Sequence, residues 1–218
     1  MITTWYRVLW AALAVIAGAS LATMAAIADE RSAPPPPSSE SLSLPMGMTG
    51  TSWQMITNDK KSGYAVEEFV PRGESGGSWN EMVTVQAFDR PDLDTSRFIA
   101  MVIGQVTKGC GEAQLLEKGT PVEGGLQTFN ALALCQDPPP HPELPNATLK
   151  KYEVIWFKGI QGRLRAYVVQ RAWHSDSKSA TSILASDATR QSWRNWIYAV
   201  CIATDSGDGK GPHCPARS

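Results

Sequence analysis

The chain contains YEVIWFK at Tyr152–Lys158, GIQG at residues 159–162 and RLRAYVVQRAW at Arg163–Trp173, and this stretch decides the fold class. Both outer segments are rich in β-branched and aromatic residues, which favour strands. The two glycines between them favour a tight turn. We therefore predict an antiparallel hairpin over residues 152–173, with its turn at residues 159–162, and a sheet built mainly from such hairpins.

Five further segments have the same strand character. Two of them, TSWQMIT at Thr51–Thr57 and YAVEEFV at Tyr64–Val70, are separated by the turn-forming residues 58–63, so they predict a second hairpin. The remaining predicted strands are Glu81–Phe88, Glu112–Leu116 and Leu126–Gln136.

Two helices are predicted. The first begins after capping residues at 92–96 and ends at Gly109. The second carries apolar residues at helical spacing, with polar residues on the opposite side. Its apolar stripe comprises Trp193, Trp196, Ile197, Val200 and Cys201, and its polar side comprises Arg190, Arg194 and Asn195. We predict an α+β fold, with two main helices packed on a mostly antiparallel sheet of about six to seven strands.

The N-terminus has the order of a secretory signal peptide. Arg7 is followed by an apolar run from Val8 to Ala19, and the segment ends on Ala26-Ile27-Ala28. We expect cleavage after residue 28. The alternative is a retained anchor, because residues 8–28 carry no charge and could cross a bilayer of roughly 30 Å. With cleavage, no stable membrane anchor remains.

The signal peptide sets the expected domain organisation. Residues 29–49 form a Pro/Ser-rich linker, which contains four consecutive prolines and favours an extended conformation. Residues 50–205 form a single α+β domain, and residues 206–218 form a Gly-rich tail.

The charge balance disfavours nucleic acid as a partner. Lys plus Arg number 20 and Asp plus Glu number 21, for a formal net charge of -1. Removal of Arg7 with the signal peptide takes this charge to -2. Such a chain has no basic field to attract a polyanion.

Four cysteines in an exported chain indicate two disulfides, for which three pairings exist. We favour Cys110–Cys135 and Cys201–Cys214, with Cys201 facing inward on the last helix and the tail folding back to it. A metal site using His213 and Cys214 competes with this interpretation, but the chain has no C-x-x-C motif. We predict no metal and no cofactor.

The sequence has no catalytic signature. The Gly-x-Ser-x-Gly pattern occurs once, at residues 73–77, but it falls in a predicted connector between two strands and not at the strand-to-helix elbow that a nucleophilic serine requires. Each histidine, at positions 141, 174 and 213, falls in a predicted loop or strand end. Glu67 and Glu68 point to opposite faces of their strand, so they cannot act as a pair. No catalytic residue is assigned.

One face of the strand at 163–173 has an unusual composition and is the candidate ligand or partner surface. Alternation places five basic and aromatic residues together: Arg163, Arg165, Tyr167, Arg171 and Trp173. Arginine and aromatic residues are enriched in binding hot spots and suit an anionic or planar ligand. The other interpretation is that the aromatics pack under a helix while the arginines bridge to acids.

Three blocks carry a resemblance to a known group: EFVPRGES at 68–75, WNEMVTVQ at 79–86, and residues 162–173 ending in YVVQRAW. They resemble a group of uncharacterised exported proteins of Gram-negative bacteria, and the likeness covers about two thirds of the mature chain. The group implies no catalytic residues. The order of elements also resembles the PsbP/Mog1 class of α+β sandwich, whose members are mainly accessory and binding proteins.

These observations predict a periplasmic or secreted, non-enzymatic domain of the cell envelope that binds a protein or a small ligand. An envelope accessory factor or a toxin-neutralising immunity protein would fit this description. The alternative is an envelope-directed hydrolase, and a third hypothesis is a structural surface protein. A polar cleft that gathers a histidine with a carboxylate or cysteine would favour the enzyme. An exposed aromatic patch would favour the binding protein.

Overall fold

A computed structural model describes residues 40–45, 52–89, 94, 96–100, 103–104, 110, 112–136, 152–175 and 186–204. Within these residues the strands are β1 (Glu40–Ser43), β2 (Trp53–Lys61), β3 (Tyr64–Pro71), β4 (Glu81–Phe88), β5 (Glu112–Gly119), β6 (Val122–Glu123), β7 (Leu126–Gln136), β8 (Tyr152–Gln161), β9 (Ala166–Ser175) and β10 (Cys201–Thr204). Residues 96–100 and 103–104 are helical, in the region of the first predicted helix, and the C-terminal helix spans Asp187–Ala199.

The main sheet has the order β2-β3-β4-β9-β8-β7-β5, and β6 pairs with β7 at its side. Every pairing in it is antiparallel. The α+β class and the antiparallel sheet are therefore confirmed. The predicted count of six to seven strands is wrong, because this sheet has eight. The added strand, β6, has two residues, which is too short for alternation to be visible in a sequence.

The β8–β9 hairpin forms as predicted, but its turn is displaced. Strand β8 continues through Gly159 to Gln161, and the turn occupies residues 162–165. Gly159 is instead a point of close approach, because a Cβ there would lie 2.7 Å from Ile99 Cδ1. The glycine that suggested a turn is thus required where the first helical segment packs on the sheet.

Each sheet face has its own hydrophobic core. On the helix face, by which we mean the face under the C-terminal helix, Trp156 and Val169 pack with Trp193 and Ile197 of that helix. On the opposite face, Phe157 and Val168 pack with residues of the first helical segment. The strands between the two layers are therefore apolar on both sides, which explains the near-continuous apolar runs in YEVIWFK and RLRAYVVQRAW.

The C-terminal helix begins at a capping serine and ends earlier than its apolar stripe. The Ser186 side chain accepts a hydrogen bond from the Thr189 N–H at 3.4 Å. Val200 is already extended, with φ -65° and ψ 127°. Cys201 lies in β10 rather than on the helix as predicted. Ile202 of β10 is buried in the same hydrophobic core as Trp193 and Ile197. The apolar residues therefore continue past the end of the helix.

Strand β1 lies within the stretch predicted as linker. It pairs antiparallel with β10, from Glu40 opposite Thr204 to Ser43 opposite Cys201. Leu42 and Leu44 pack against the core of the helix face. The fold therefore includes residues N-terminal to the predicted domain start at residue 50. The segment ESLSLP gives little sign of this, because its two leucines find their apolar partners only in the tertiary structure.

The structure contains the favoured Cys110–Cys135 disulfide, across 25 positions of sequence. Cys201 is also disulfide-bonded. Its predicted partner Cys214 lies outside the described residues, as do the predicted signal peptide and the tail from residue 206. Within the described part of the chain, neither helix has the length and hydropathy needed to span a bilayer.

Candidate functional site

The five residues of the predicted binding face occupy two different environments. Arg163 and Arg165 are exposed in the β8–β9 turn, which we define as residues 162–165. Tyr167 is only 4% exposed, on the helix face of β9. Arg171 and Trp173, further along that strand, are half-buried. The face is therefore open at the turn, closed at Tyr167 and partly covered at Arg171 and Trp173.

The β8–β9 turn holds a carboxylate with its backbone. The N–H groups of Arg163 and Leu164 donate to Glu40 Oε2 at 2.7 and 3.2 Å, and that of Arg165 donates to Oε1 at 3.2 Å. The Gly162 N–H donates to the Arg165 carbonyl at 2.9 Å and closes the turn. Consecutive N–H groups that converge in this way form an anion-binding concavity.

Gly162 makes this contact sterically possible. A Cβ at this position would lie 2.7 Å from both the Arg165 carbonyl oxygen and Glu40 Cδ. Any other residue would therefore have to push the carboxylate or the turn away. The sequence marks Gly162 only as a turn residue, and nothing local connects it with Glu40.

Tyr167, just after the turn, forms a hydrogen bond with β1. Its hydroxyl donates to the Glu40 carbonyl oxygen at 3.5 Å. Burial, followed by the negative charge of Glu40, raises the pKa of Tyr167 to about 12. Both causes disfavour the phenolate. Tyr167 therefore remains a neutral hydrogen-bond donor under all physiological conditions.

The side chains of the turn face outward. Arg165 Nε lies 2.7 Å from Asp89 Oδ1, and both side chains are about half exposed. Such a solvent-exposed pair is weak and exchangeable. Leu164, between the two arginines, is 39% exposed. The turn thus displays an Arg-Leu-Arg tip on a backbone held by Glu40.

In the covered half of the face, Arg171 pairs with a glutamate and lies close to two tryptophan rings of the C-terminal helix. Arg171 Nε and a terminal nitrogen each lie 2.5 Å from Glu81 Oε1. Its guanidinium carbon lies 4.8 Å from the ring centre of Trp193 and 5.1 Å from that of Trp196. This half fits the interpretation in which arginines bridge to acids and aromatics pack under a helix. The binding roles of Arg171 and Trp173 stay predictions.

A histidine–carboxylate pair lies at the other end of β9. His174 Nε2 is 3.3 Å from Glu153 Oε2, and its ring stacks on Trp79 with centroids 3.5 Å apart. Cys135 is the register neighbour of Glu153, but its sulfur is committed to the disulfide. No nucleophile–base pair involving His174 occurs in the described residues. His141 and His213 lie outside them.

Sequence reasoning missed the acids of the site. Glu40 lies in the predicted linker, and Glu81 is one of several scattered acids. Their partners are 123 and 90 positions away in the chain, so no local pattern could join them. Among the described residues, no group of histidine, cysteine, aspartate or glutamate has the arrangement needed to hold a metal ion.

Comparisons with known proteins give distant structural likenesses. No family model and no curated protein matches the chain. A point mutant of Mog1 matches with a TM-score of 0.45 and 14% identity, over 72% of this chain and 89% of that one. The Saccharomyces cerevisiae Ran-binding protein Mog1p matches with a TM-score of 0.42 and 13% identity, over 74% and 94%. LpqN of Mycobacterium tuberculosis, involved in cell envelope biogenesis, matches with a TM-score of 0.38 and 10% identity, over 77% and 85%.

TM-scores below 0.5 at such identities do not transfer activity, partner or location, so the site is interpreted from its own residues.

Proposed function

We propose that this protein is an exported, non-enzymatic domain of the cell envelope that binds an anionic partner through the β8–β9 turn. The observation that carries the proposal is the set of N–H groups from residues 163–165 anchored on the Glu40 carboxylate. It fixes the backbone from which Arg163, Leu164 and Arg165 project.

A fixed backbone favours binding, because a partner does not have to order the loop. Arginine guanidinium groups bind carboxylates and phosphates with paired hydrogen bonds. Leu164 adds an apolar contact between them. The expected partner therefore presents acidic groups around a small apolar patch. Until such a partner binds, Arg165 forms its ion pair with Asp89.

Export is part of the proposal. It is supported by the n-, h- and cleavage-region order of residues 1–28 and by the Cys110–Cys135 disulfide, since disulfides persist in oxidising compartments. The proposed location is periplasmic or secreted. An envelope accessory factor and a toxin-neutralising protein are both binding proteins of this kind.

The test is quantitative capture from envelope extracts, comparing the native protein with Arg163→Ala/Arg165→Ala. Both alanines keep their backbone N–H, so the contact with Glu40 persists and a loss reports the side chains. Arg72→Ala/Arg190→Ala is the matched control, because it removes the same charge from two other surface positions. Circular dichroism verifies that each variant folds.

We expect a captured protein whose recovery falls about tenfold or more in the turn variant, the size of a modest hot spot. Recovery should be unchanged in the control. Equal recovery with the native protein, the turn variant and the control would reject the turn as the binding surface.

A further inference from the structure

Strand β1 is held on the domain by one strand and one turn. It pairs with β10 over four residues, and these two strands form a sheet separate from the main one. At the start of β1, the carboxylate of Glu40 accepts hydrogen bonds from the backbone N–H groups of residues 163–165. None of the strand pairings described for the main sheet involves β1.

Alternation places every second residue of β1 on the same side. Leu42 is the register partner of Ile202, which is buried, and Leu42 and Leu44 pack against the core of the helix face. Glu40, two positions before Leu42, reaches the turn, whereas Ser41 between them is exposed. The surface under β1 therefore selects an acidic residue followed by leucine two and four positions later.

The groups that hold β1 all belong to the rest of the domain. Strand β10 supplies the strand pairing, and the β8–β9 turn supplies the N–H groups. The Tyr167 hydroxyl donates to the carbonyl oxygen of Glu40, a main-chain atom that any bound peptide possesses. Gly162 leaves room for a carboxylate, because a Cβ there would lie 2.7 Å from Glu40 Cδ. These are the elements of peptide recognition by strand addition, in which main-chain hydrogen bonds supply affinity and alternate side chains supply selectivity.

Strand β1 has few contacts to lose. It has four residues, and its Leu42 and the following Leu44 are only half-buried. Elements with so few buried contacts open at a lower free energy than the whole domain unfolds. A segment with the same pattern replaces each contact of β1, so the N–H groups of the turn and the surface of the core stay covered after an exchange.

The occupant that fits this site best is a segment of another protein. Strand β1 of a second copy offers the same residues as the chain's own β1, which is tethered and therefore present at a high effective concentration. A partner exceeds β1 only by adding contacts. The side chains of Arg163 and Arg165 are exposed, and they project from residues whose N–H groups bind the carboxylate, so further acidic groups of a partner would meet them.

We propose that β10 and the β8–β9 turn form a docking site for an extended segment of a partner protein with the pattern acidic-x-Leu-x-Leu, and that β1 occupies this site until the partner replaces it. The acidic side chain of the partner takes the place of Glu40 at the turn, and its leucines take the places of Leu42 and Leu44. No covalent bond is made or broken. The added affinity from the two arginines rests on the proposed function, whereas the exchange itself uses only the backbone of the turn.

The test is a fluorescence anisotropy titration of the disulfide-bonded protein into a labelled peptide, SSESLSLP, which has the sequence of residues 38–45. The native protein should bind this peptide weakly, because its own β1 competes. Glu40→Ala weakens the competing strand, so the peptide should bind about tenfold more tightly as the open state becomes more populated. Glu112→Ala, at an exposed glutamate, is the matched control and should bind like the native protein. Circular dichroism verifies that each variant folds.

Three further changes locate the site. The same peptide with Glu40→Gln should bind the Glu40→Ala protein severalfold more weakly, because neutral hydrogen bonds replace charge-assisted ones. Gly162→Ala, added to the Glu40→Ala protein, should weaken binding severalfold by steric conflict with the peptide carboxylate. Gly119→Ala, added in the same way, is its matched control, because a Cβ there meets only Pro121 Cδ at 3.9 Å. Glu40→Gln in the protein should tighten peptide binding by a smaller factor, and it replaces Glu40→Ala in the test if that variant does not fold.

The proposal is overturned if the peptide binds the native and the Glu40→Ala proteins equally, if it binds neither, or if Gly162→Ala has no effect. It is also overturned if sedimentation velocity shows a native dimer that dissociates in the Glu40→Ala variant, because the occupant is then a second copy. The peptide has no acidic residue besides Glu40. Its failure would therefore concern the exchange, whereas unchanged capture by Arg163→Ala/Arg165→Ala would concern the proposed function.

Discussion

At the scale of single residues, the contact between Glu40 and the β8–β9 turn depends on Gly162. The carboxylate accepts hydrogen bonds from the turn, and the missing Cβ of Gly162 gives it room to approach. The contact joins the start of the described chain to a hairpin more than a hundred residues later. Neither residue has an unusual local context, so their dependence on each other exists only in the folded molecule.

Glu40→Gln should lower the free energy of unfolding by about 1–3 kcal/mol, because charge-assisted hydrogen bonds are replaced by weaker neutral ones. Gly162→Ala should act in the same direction through steric conflict. Urea denaturation measures both variants. Glu112→Gln, at an exposed glutamate, is the control and should change stability by less than about 0.5 kcal/mol. If Glu40→Gln matches this control, Glu40 does not stabilise the turn.

At the scale of elements, the C-terminal helix determines which part of the β9 face remains open. Trp193 and Ile197 are buried beneath it, whereas Trp196 is half-buried. Arg194 on the same helix reaches Glu117 of β5 at 2.9 Å. The helix thus contacts the sheet from Arg171 on β9 to the β5 edge, and leaves the β8–β9 turn exposed.

Trp193→Ala should therefore lower the free energy of unfolding by about 3–5 kcal/mol, as expected for truncation of a buried aromatic residue. Trp196→Ala should have a smaller effect, because part of its ring already faces water. Gln191→Ala, on the exposed side of the helix, should lie within about 0.5 kcal/mol of the native value. Denaturation of the three variants provides the comparison. A small loss for Trp193→Ala would contradict the packing of the helix on the sheet.

At the scale of the whole molecule, the Cys110–Cys135 disulfide ties the region after the first helical segment to the strand β7. In the chain-entropy model, a loop of this length stabilises the fold by restricting the unfolded chain. The contribution depends on an oxidising compartment, so the disulfide and the predicted export belong together.

Peptide mapping without reduction should recover Cys110 joined to Cys135 and Cys201 joined to Cys214, in protein whose N-terminus is Asp29. Replacing Cys110 and Cys135 together with serine should lower stability by about 3 kcal/mol, measured against the native protein without reductant. Free thiols at all four positions would contradict the disulfide prediction, and a full-length, membrane-retained product would contradict the predicted cleavage after residue 28.

The class of the fold and most of its strands follow from the amino-acid sequence alone. Segments such as YEVIWFK and EMVTVQAF carry their own β propensity, and the spacing of Trp193, Trp196 and Ile197 is intrinsic to a helix. These are local properties, and each short segment carries them whatever the rest of the chain does. Strand alternation also singled out Arg163 and Arg165, but it placed them in a strand, whereas the structure has them in the turn before β9.

The exact position of the β8–β9 turn, the burial of individual residues and the pairing of charges depend on the folded molecule. Gly159 lies inside a strand at the point where Ile99 closely approaches the backbone, and β1 pairs with β10, which is distant in sequence. Glu40 and Glu81 acquire their partners from segments distant in sequence. Burial and ion pairing are properties of spatial neighbours, and the one-dimensional pattern of a chain does not contain them.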